Sequence, residues 1–293
     1  MKISSQAFDT ENAETEGEGS SVPLEKKLDG KTAVGETGQF FLHNNKVSIR
    51  PVMAEFYLKV RQASKMNVPV LLVGESGAGK NHTAKLIHQK SARNSSGYFE
   101  ININEINENL IESTLFGSVR GAFTGAEDKK GLFESAENGT LFLDEIGDFP
   151  RDLQTKLFGF LDNGTFRKIG STKTLTSSAR LMFATNANLF DLVESGKFRR
   201  ELYYRISVFI IIVPSLRDHA ADIPYLAEEF AKKSGKTLSP DAVKKLCAYN
   251  WPGNVRELKN CILRSCIFCT GDEIEEDNIV FDHEIFGRFS SQV

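Results

Sequence analysis

A glycine-rich stretch at residues 74–81 has the residue types and the spacing that bind phosphate. It follows an apolar run, residues 68–73, that predicts a buried parallel strand, and it precedes residues of helical composition. In that setting the pattern Gly-x4-Gly-Lys predicts a P-loop, whose backbone N–H groups surround the phosphates while Lys80 reaches the β- and γ-phosphates. The sequence therefore predicts an ATP site that contains Gly74, Glu75, Ser76, Gly77, Ala78, Gly79, Lys80 and Asn81.

A second predicted strand, residues 140–143, is followed by two carboxylates. Asp144 is placed to coordinate Mg²⁺, usually through water, and Glu145 is placed to polarise the water that attacks the γ-phosphate. Most P-loops have Ser or Thr after the lysine to hold the magnesium, whereas this chain has Asn81. The amide oxygen of Asn81 can contact the water shell of the ion. We therefore expect Asp144 and Asn81 to hold Mg²⁺ with the nucleotide, and the effect of Asn81 on magnesium affinity stays open.

A hexapeptide of small residues with one Phe and one Thr lies between these two motifs. Charged residues 127–130 follow it, which favours a loop exposed to solvent, and its two glycines give the backbone freedom to bend. Phosphate chemistry does not require such a loop, so it is the candidate for the part that the nucleotide site moves. The hexapeptide consists of Gly121, Ala122, Phe123, Thr124, Gly125 and Ala126.

In this order the three motifs resemble the AAA+ domain of bacterial sigma-54-dependent transcription activators, which are also called enhancer-binding proteins. The resemblance covers roughly residues 45 to 285, and at position 81, where this family commonly has Glu, Asn81 departs from the family pattern as well. It implies that the hexapeptide binds sigma-54, with Phe123 and Thr124 in direct contact, and that the nucleotide state raises or lowers this loop. Residues 164–179, whose pattern predicts a hairpin, would be a second, supporting insertion near the pore of a ring.

The same resemblance assigns three polar residues at the ends of predicted strands. Asn102 matches the switch asparagine that holds the catalytic Glu145 until hydrolysis is sensed. Thr185 and Asn186 match the sensor I segment.

Further arginines match positions that act on the nucleotide in this family. Arg199 and Arg205 match the residues that reach the γ-phosphate of the neighbouring subunit, with Arg200 as the less favoured neighbour of Arg199. Arg256, in the stretch 251–258, matches the sensor II residue of the lid. An arginine supplied in trans contributes about 10³–10⁵ in rate, so we expect a monomer to hydrolyse ATP very slowly.

Strands alternate with helices up to residue 214, and only helices are predicted after it. This pattern predicts an α/β fold with a doubly wound parallel sheet and a small all-α second domain, which the resemblance identifies as an AAA+ P-loop NTPase with a lid. The expected organisation is a disordered polar segment, a nucleotide and sigma-54 domain, a lid, and a short tail without a helix-turn-helix, at residues 1–45, 46–214, 215–280 and 281–293.

The bulk composition limits the classes of partner. A net charge of −3 with mixed acids and bases, and a tail without a basic helix pair, argue against direct DNA binding by this chain. No apolar run approaches the roughly 20 residues that span a bilayer, so we expect a cytoplasmic protein with no membrane partner. The four cysteines lack the paired spacing of a zinc site and are interpreted as reduced thiols that pack a helix.

The predicted function is therefore an ATPase that assembles as a hexameric ring and couples ATP hydrolysis to remodelling of the closed promoter complex of sigma-54 RNA polymerase into the open complex. Two alternatives remain open: a nucleotide-binding regulator that engages sigma-54 and hydrolyses little ATP, and an unrelated AAA+ remodeller or DNA-binding repressor. The sequence also leaves open the target promoters, the activating signal, and whether the chain is a truncated domain or a natural activator.

Overall fold

The computed structural model of the protein describes residues 51–284. The predicted disordered segment 1–45 and residues 285–293 of the predicted tail lie outside this range. The α-helices of the described part are α1 (Pro51–Lys65), α2 (Lys80–Gln89), α3 (Glu108–Phe116), α4 (Leu132–Ser135), α5 (Arg151–Asn163), α6 (Leu189–Glu194), α7 (Arg200–Ile206), α8 (Ile223–Lys232), α9 (Pro240–Cys247) and α10 (Asn254–Phe268). Its strands are β1 (Val70–Val73), β2 (Tyr98–Asn102), β3 (Gly117–Ser118), β4 (Lys129–Lys130), β5 (Thr140–Asp144), β6 (Thr165–Phe166), β7 (Leu175–Thr176), β8 (Arg180–Thr185), β9 (Phe209–Ile212), β10 (Thr237–Leu238) and β11 (Glu273–Ile274).

Five strands form one parallel sheet in the order β2-β5-β8-β1-β9, which confirms the predicted fold class. Every residue of β5 and β8 is buried, as expected for strands that helices cover on both faces. In register, Asn102 pairs with Asp144 and Val73 pairs with Thr185. Because parallel strands end at the same edge of the sheet, the residues predicted to act on the nucleotide follow β1, β2, β5 and β8 at one edge.

The segment from residue 216 onward has its own apolar core, built on α8, α9 and α10 around the fully buried Trp251. The indole Nε1 of Trp251 donates a hydrogen bond to the carbonyl oxygen of Leu246 at 2.9 Å, so this large side chain is buried with its polar atom satisfied. A two-residue parallel pair, β10 with β11, lies beside the helices. The sequence predicted only helices here, because strands of two residues are too short to show a period.

Two small antiparallel hairpins stand apart from the main sheet. The pair β6–β7 lies within residues 164–179 and confirms the predicted hairpin, whereas the pair β3–β4, which encloses the hexapeptide, was not predicted. Within residues 51–284, none of the helices is long and apolar enough to cross a bilayer.

Candidate nucleotide-binding site

The loop between β1 and α2 has the backbone conformation that a P-loop needs. Gly77 and Gly79 have φ angles of 76° and 100°, a region that glycine enters without strain. The buried Lys80 begins α2, and its Nζ donates hydrogen bonds to the carbonyl oxygens of Gly74 at 3.0 Å and Glu75 at 3.3 Å. The loop therefore places an ammonium group and a helix N-terminus together at the edge of the sheet, and these two features together favour a bound phosphate.

Two acidic side chains lie at the end of β5, at the same edge of the sheet as this loop. The Asp144 carboxylate is 5% exposed, and its Oδ1 accepts a hydrogen bond from the Glu145 N–H at 2.9 Å. Glu145 has a φ of 54°, a strained value for a residue with a side chain, and strain of this kind is found at functional sites. Its Oε2 accepts a long hydrogen bond from the Asn186 N–H at 3.4 Å, so the predicted sensor I segment contacts the predicted catalytic carboxylate.

The remaining residues of this edge are held mainly by local contacts. Thr185 is fully buried, and its Oγ1 accepts a hydrogen bond from the Ala187 N–H at 3.0 Å. The side chain of Asn102 accepts from the N–H of Asn104 at 3.0 Å and donates to Glu105 at 3.4 Å, both within its own turn. Register places Asn102 beside Asp144, but the hydrogen bonds described for its side chain do not include Glu145. The switch role of Asn102 stays a prediction.

Asn81, the departure from the usual P-loop pattern, contacts the edge strand β2. Its Nδ2 donates a hydrogen bond to Oε1 of Glu100 at 2.6 Å. The other carboxylate oxygen of Glu100 forms an ion pair with Nζ of Lys85 at 3.1 Å. No sequence signal singles out Glu100, because a charged residue in an alternating strand is typical of a solvent-facing position.

The second apolar core contacts the P-loop through a polar network that we call the lid clamp, formed by Glu75, Ser76, Arg217, Asn254 and Arg256. Arg217 forms a two-pronged ion pair with the Glu75 carboxylate, in which Nη1 donates to Oε2 at 2.9 Å and Nη2 donates to Oε1. Nη1 of Arg256 donates to the Ser76 hydroxyl at 3.0 Å. The hydrogen bonds that the Glu75 carboxylate accepts, first from Arg217 and then from Asn254, lower the pKa of Glu75 to about 2.

Asn254 lies at the centre of the lid clamp and is fully buried. Its Nδ2 donates to Oε2 of Glu75 and to the carbonyl oxygen of Ser76, both at 3.0 Å, and its Oδ1 accepts from the Leu216 N–H at 2.9 Å. Gly77 is equally close to this part of the chain, since a Cβ at that position would collide with the carbonyl oxygen of Gly253. The side chain of Glu75, predicted to bind nucleotide, is therefore occupied by the lid clamp.

The two arginines predicted to act on a neighbouring subunit lie at and within α7. The Arg199 N–H donates to Oε1 of Gln154 at 2.8 Å, while its buried Nε finds no hydrogen-bond acceptor among residues 51–284. Arg205 donates from Nε and Nη2 to the carbonyl oxygen of Leu161, at 3.2 and 2.9 Å, and pairs with Asp162 at 3.5 Å. Their action in trans stays a prediction.

The hexapeptide forms a closed turn that presents its aromatic residue to solvent. The Gly121 N–H donates to the Ala126 carbonyl oxygen at 3.3 Å, and the Ala126 N–H donates to the Phe123 carbonyl oxygen at 2.9 Å. Ala126 is buried, whereas the Phe123 side chain is 47% exposed and Thr124 is exposed. An exposed aromatic ring on a hydrogen-bonded turn is a feature that a protein partner can contact.

The hairpin at residues 164–179 contacts the base of this turn. The Ile169 N–H donates to the Gly117 carbonyl oxygen at 2.9 Å, and the Val119 N–H donates to the Ile169 carbonyl oxygen at 3.1 Å. Gly170, with a φ of 77°, is so close to Ala122 that an added Cβ would lie 2.5 Å from the Ala122 Cβ. The hexapeptide and the hairpin at residues 164–179 are therefore packed as one unit, which we call the paired hairpins.

Comparison with known families matches the two cores of the chain separately. Residues 47–212 match the model of the sigma-54 interaction domain, and residues 217–285 match the model of an AAA+ ATPase lid domain. The chain belongs to the sigma-54 interaction domain family. This result confirms the family predicted from the order of the motifs.

Known relatives of this sigma-54 interaction domain include transcriptional regulators. The chain is 42% identical over 247 residues to the Nif-specific regulatory protein of Azotobacter vinelandii, covering 82% of the chain and 47% of the relative. It is 39% identical over 242 residues to the transcriptional regulatory protein GlrR of Escherichia coli K12, covering 80% of this chain and 54% of that relative. A crystal structure of NtrX from Brucella abortus in complex with ATP superposes with a TM-score of 0.74 at 31% identity, over 82% of this chain and 55% of that chain. The chain thus spans about half the length of these relatives.

Sequence reasoning missed two members of the lid clamp, both within the stretch that matches the lid domain model. Asn254 lies inside the stretch 251–258 that was singled out for Arg256, and its position directly after Gly253 was the available signal. Arg217 had no local signal, because its partner Glu75 lies 142 residues away in the chain.

Proposed function

We propose that this chain is the ATPase domain of a sigma-54-dependent transcription activator. In this proposal ATP hydrolysis moves the hexapeptide loop, which remodels the closed complex of sigma-54 RNA polymerase so that the promoter opens. The proposal places the protein in the cytoplasm, where bacterial RNA polymerase works. The observation that carries it is the exposed Phe123 turn, braced by a second hairpin, in a chain that also carries a P-loop and paired carboxylates at one sheet edge.

The roles of the residues follow from the chemistry of the site. Lys80 and the P-loop N–H groups bind the phosphates, and Glu145 polarises the attacking water. The Asp144 carboxylate suits Mg²⁺, because its oxygens are ligands that this ion prefers. It is 5% exposed, and the one hydrogen bond described for it is accepted from the N–H of Glu145. Magnesium bound there with ATP would neutralise charge on the phosphates. Arg256 contacts the P-loop from the lid and is placed to report on the nucleotide.

We further propose that the active form is a ring, most simply a hexamer, in which Arg199 and Arg205 complete the site of a neighbouring copy. The position of Arg199 supports this, because it lies partly exposed at the start of α7 and its guanidinium forms none of the ion pairs described within residues 51–284. Arg199→Ala should bind ATP normally and lose turnover, and dilution should lower the specific ATPase activity. Arg200→Ala is the matched control, because Arg200 pairs only on the surface with Glu194 and should keep its turnover. Equal turnover in both variants would contradict the assignment.

The decisive experiment measures open-complex formation by sigma-54 polymerase on promoter DNA, with the purified protein in excess. We expect open complex with ATP and none with a non-hydrolysable analogue. Thr124→Ala should keep ATPase activity and lose open-complex formation, whereas Lys80→Ala should lose both activities. Thr176→Ala is the control: Thr176 is an exposed threonine on the supporting hairpin, and its replacement should leave both activities unchanged. Normal activation by Thr124→Ala would overturn the role of the loop.

A second candidate function is a nucleotide-binding regulator that engages sigma-54 and hydrolyses little ATP. Asn81 favours it, because a neutral amide stands where most P-loops have a hydroxyl for magnesium. The two candidates differ in one assay: binding of ATP and sigma-54 without measurable phosphate release would favour the regulator.

A further inference from the structure

Asn81, the residue after the P-loop lysine, is held in place by a hydrogen bond to Glu100. In most P-loops a Ser or Thr at this place contacts magnesium directly through its hydroxyl. Here Nδ2 of Asn81 donates to the Glu100 carboxylate at 2.6 Å, a short and charge-assisted hydrogen bond between the start of α2 and β2.

This contact determines which way the amide of Asn81 faces. An ionised carboxylate can only accept hydrogen bonds, and of the two ends of an amide only the NH₂ group can donate. The NH₂ group of Asn81 must therefore face Glu100. Its oxygen, which is the group that can contact a cation or the water bound to it, is left on the other side of the amide.

Glu100 lies on the face of the sheet that carries the predicted magnesium ligand. Side chains alternate along a strand, so Glu100 and Asn102 share one face of β2. Their register partners on β5 are Phe142 and Asp144, which share the corresponding face of that strand. Glu100 therefore connects α2 to the sheet on the same face as Asp144.

We propose that Glu100 is a positioning residue for magnesium, and that the pair Asn81–Glu100 does the work of the usual hydroxyl. Glu100 holds the amide so that its oxygen is available to the ion or to its water, and removing Glu100 lets the amide rotate. This inference rests on the proposed Mg-ATP site. It goes beyond that site because it gives Glu100, which is not one of the predicted site residues, a role in magnesium binding.

The test compares ATP affinity with magnesium and with a chelator, measured by titration of a fluorescent ATP analogue. In the wild type, magnesium should tighten binding. Glu100→Ala should reduce this magnesium-dependent gain by about 10-fold, the lower end of the effect of removing a residue that orients a metal ligand. Affinity in chelator should stay unchanged, because the described partners of the Glu100 carboxylate are the side chains of Asn81 and Lys85 and not the P-loop backbone.

Two further variants distinguish positioning from a merely structural role. Lys85→Met removes the other partner of Glu100 and leaves its contact with Asn81, so it should keep the magnesium gain. Asn81→Ser combined with Glu100→Ala should recover the gain, since a serine hydroxyl needs no such partner. The assignment would be overturned if Lys85→Met lost the magnesium-dependent gain in ATP affinity as fully as Glu100→Ala, or if the double variant did not recover that gain.

The outcome separates this inference from the proposed function. A wild-type protein that binds nucleotide more tightly with magnesium but opens no promoter would refute the proposed function and leave Glu100 as the positioning residue. A wild-type nucleotide affinity that does not respond to magnesium would refute the role of Glu100 itself.

Discussion

Replacing Asn254 by alanine should destabilise the chain by an amount that its contacts determine. The change leaves the N–H of the fully buried Leu216 without its acceptor, which costs about 1–3 kcal/mol. Asn254 also has a φ of 55°, where alanine is disfavoured by about 1 kcal/mol because it lacks the local hydrogen bonding that lets Asn adopt this conformation. Together these effects predict a loss of about 2–4 kcal/mol, a large share of the 5–15 kcal/mol that typically stabilises a domain.

The assay is urea unfolding followed by circular dichroism, with Asn254→Gly as the matched control. Both variants lose the same hydrogen bonds, but glycine tolerates the positive φ, so the glycine variant should be more stable than the alanine variant by about 1 kcal/mol. In an ordinary helix the order is the reverse, since alanine is favoured over glycine there by a similar amount. An alanine variant as stable as the wild type, or more stable than the glycine variant, would refute the reasoning.

Three further predictions concern the lid clamp and the thiols. The pKa of Glu75 is lowered from 4.5 to about 2, so its contribution to stability is present above pH 4.5 and is lost as the pH falls toward 2. Glu75→Gln should therefore flatten the unfolding free energy against pH in that window, and a curve parallel to the wild type would contradict this. Gly77→Ala should weaken ATP binding more than Gly79→Ala in nucleotide titrations, because an added Cβ meets the lid backbone only in the first case; equal losses would count against it. A thiol reagent at pH 8 should label the exposed Cys247 first, while Cys261, whose pKa burial raises to about 11, should react only on unfolding; mass spectrometry of the labelled peptides checks the order.

The sequence predicts those parts of the molecule whose signals are local. Apolar runs that end in Gly74 or Asp144 indicate both a strand and the chemistry at its end, so the sheet and the carboxylates beside the P-loop could be inferred together. The lid clamp could not, because Glu75 and Arg217 are brought together only by the packing of two separate cores. Glu100 shows the same limit: an acid in a strand predicts exposure, and only the fold reveals that it holds the residue after the P-loop lysine.

The paired hairpins make the hexapeptide a composite structure and not a portable motif. Two of the hydrogen bonds that fix the base of its turn are made with Ile169, about fifty residues further along the chain, and Ala122 rests against the backbone of Gly170. A peptide of residues 117–130, or the same residues grafted onto another protein, would lack this support and should lose the defined shape of the turn. A graft that keeps the shape must carry both segments and the elements that hold them in their relative positions, so the exposed turn depends on the whole domain.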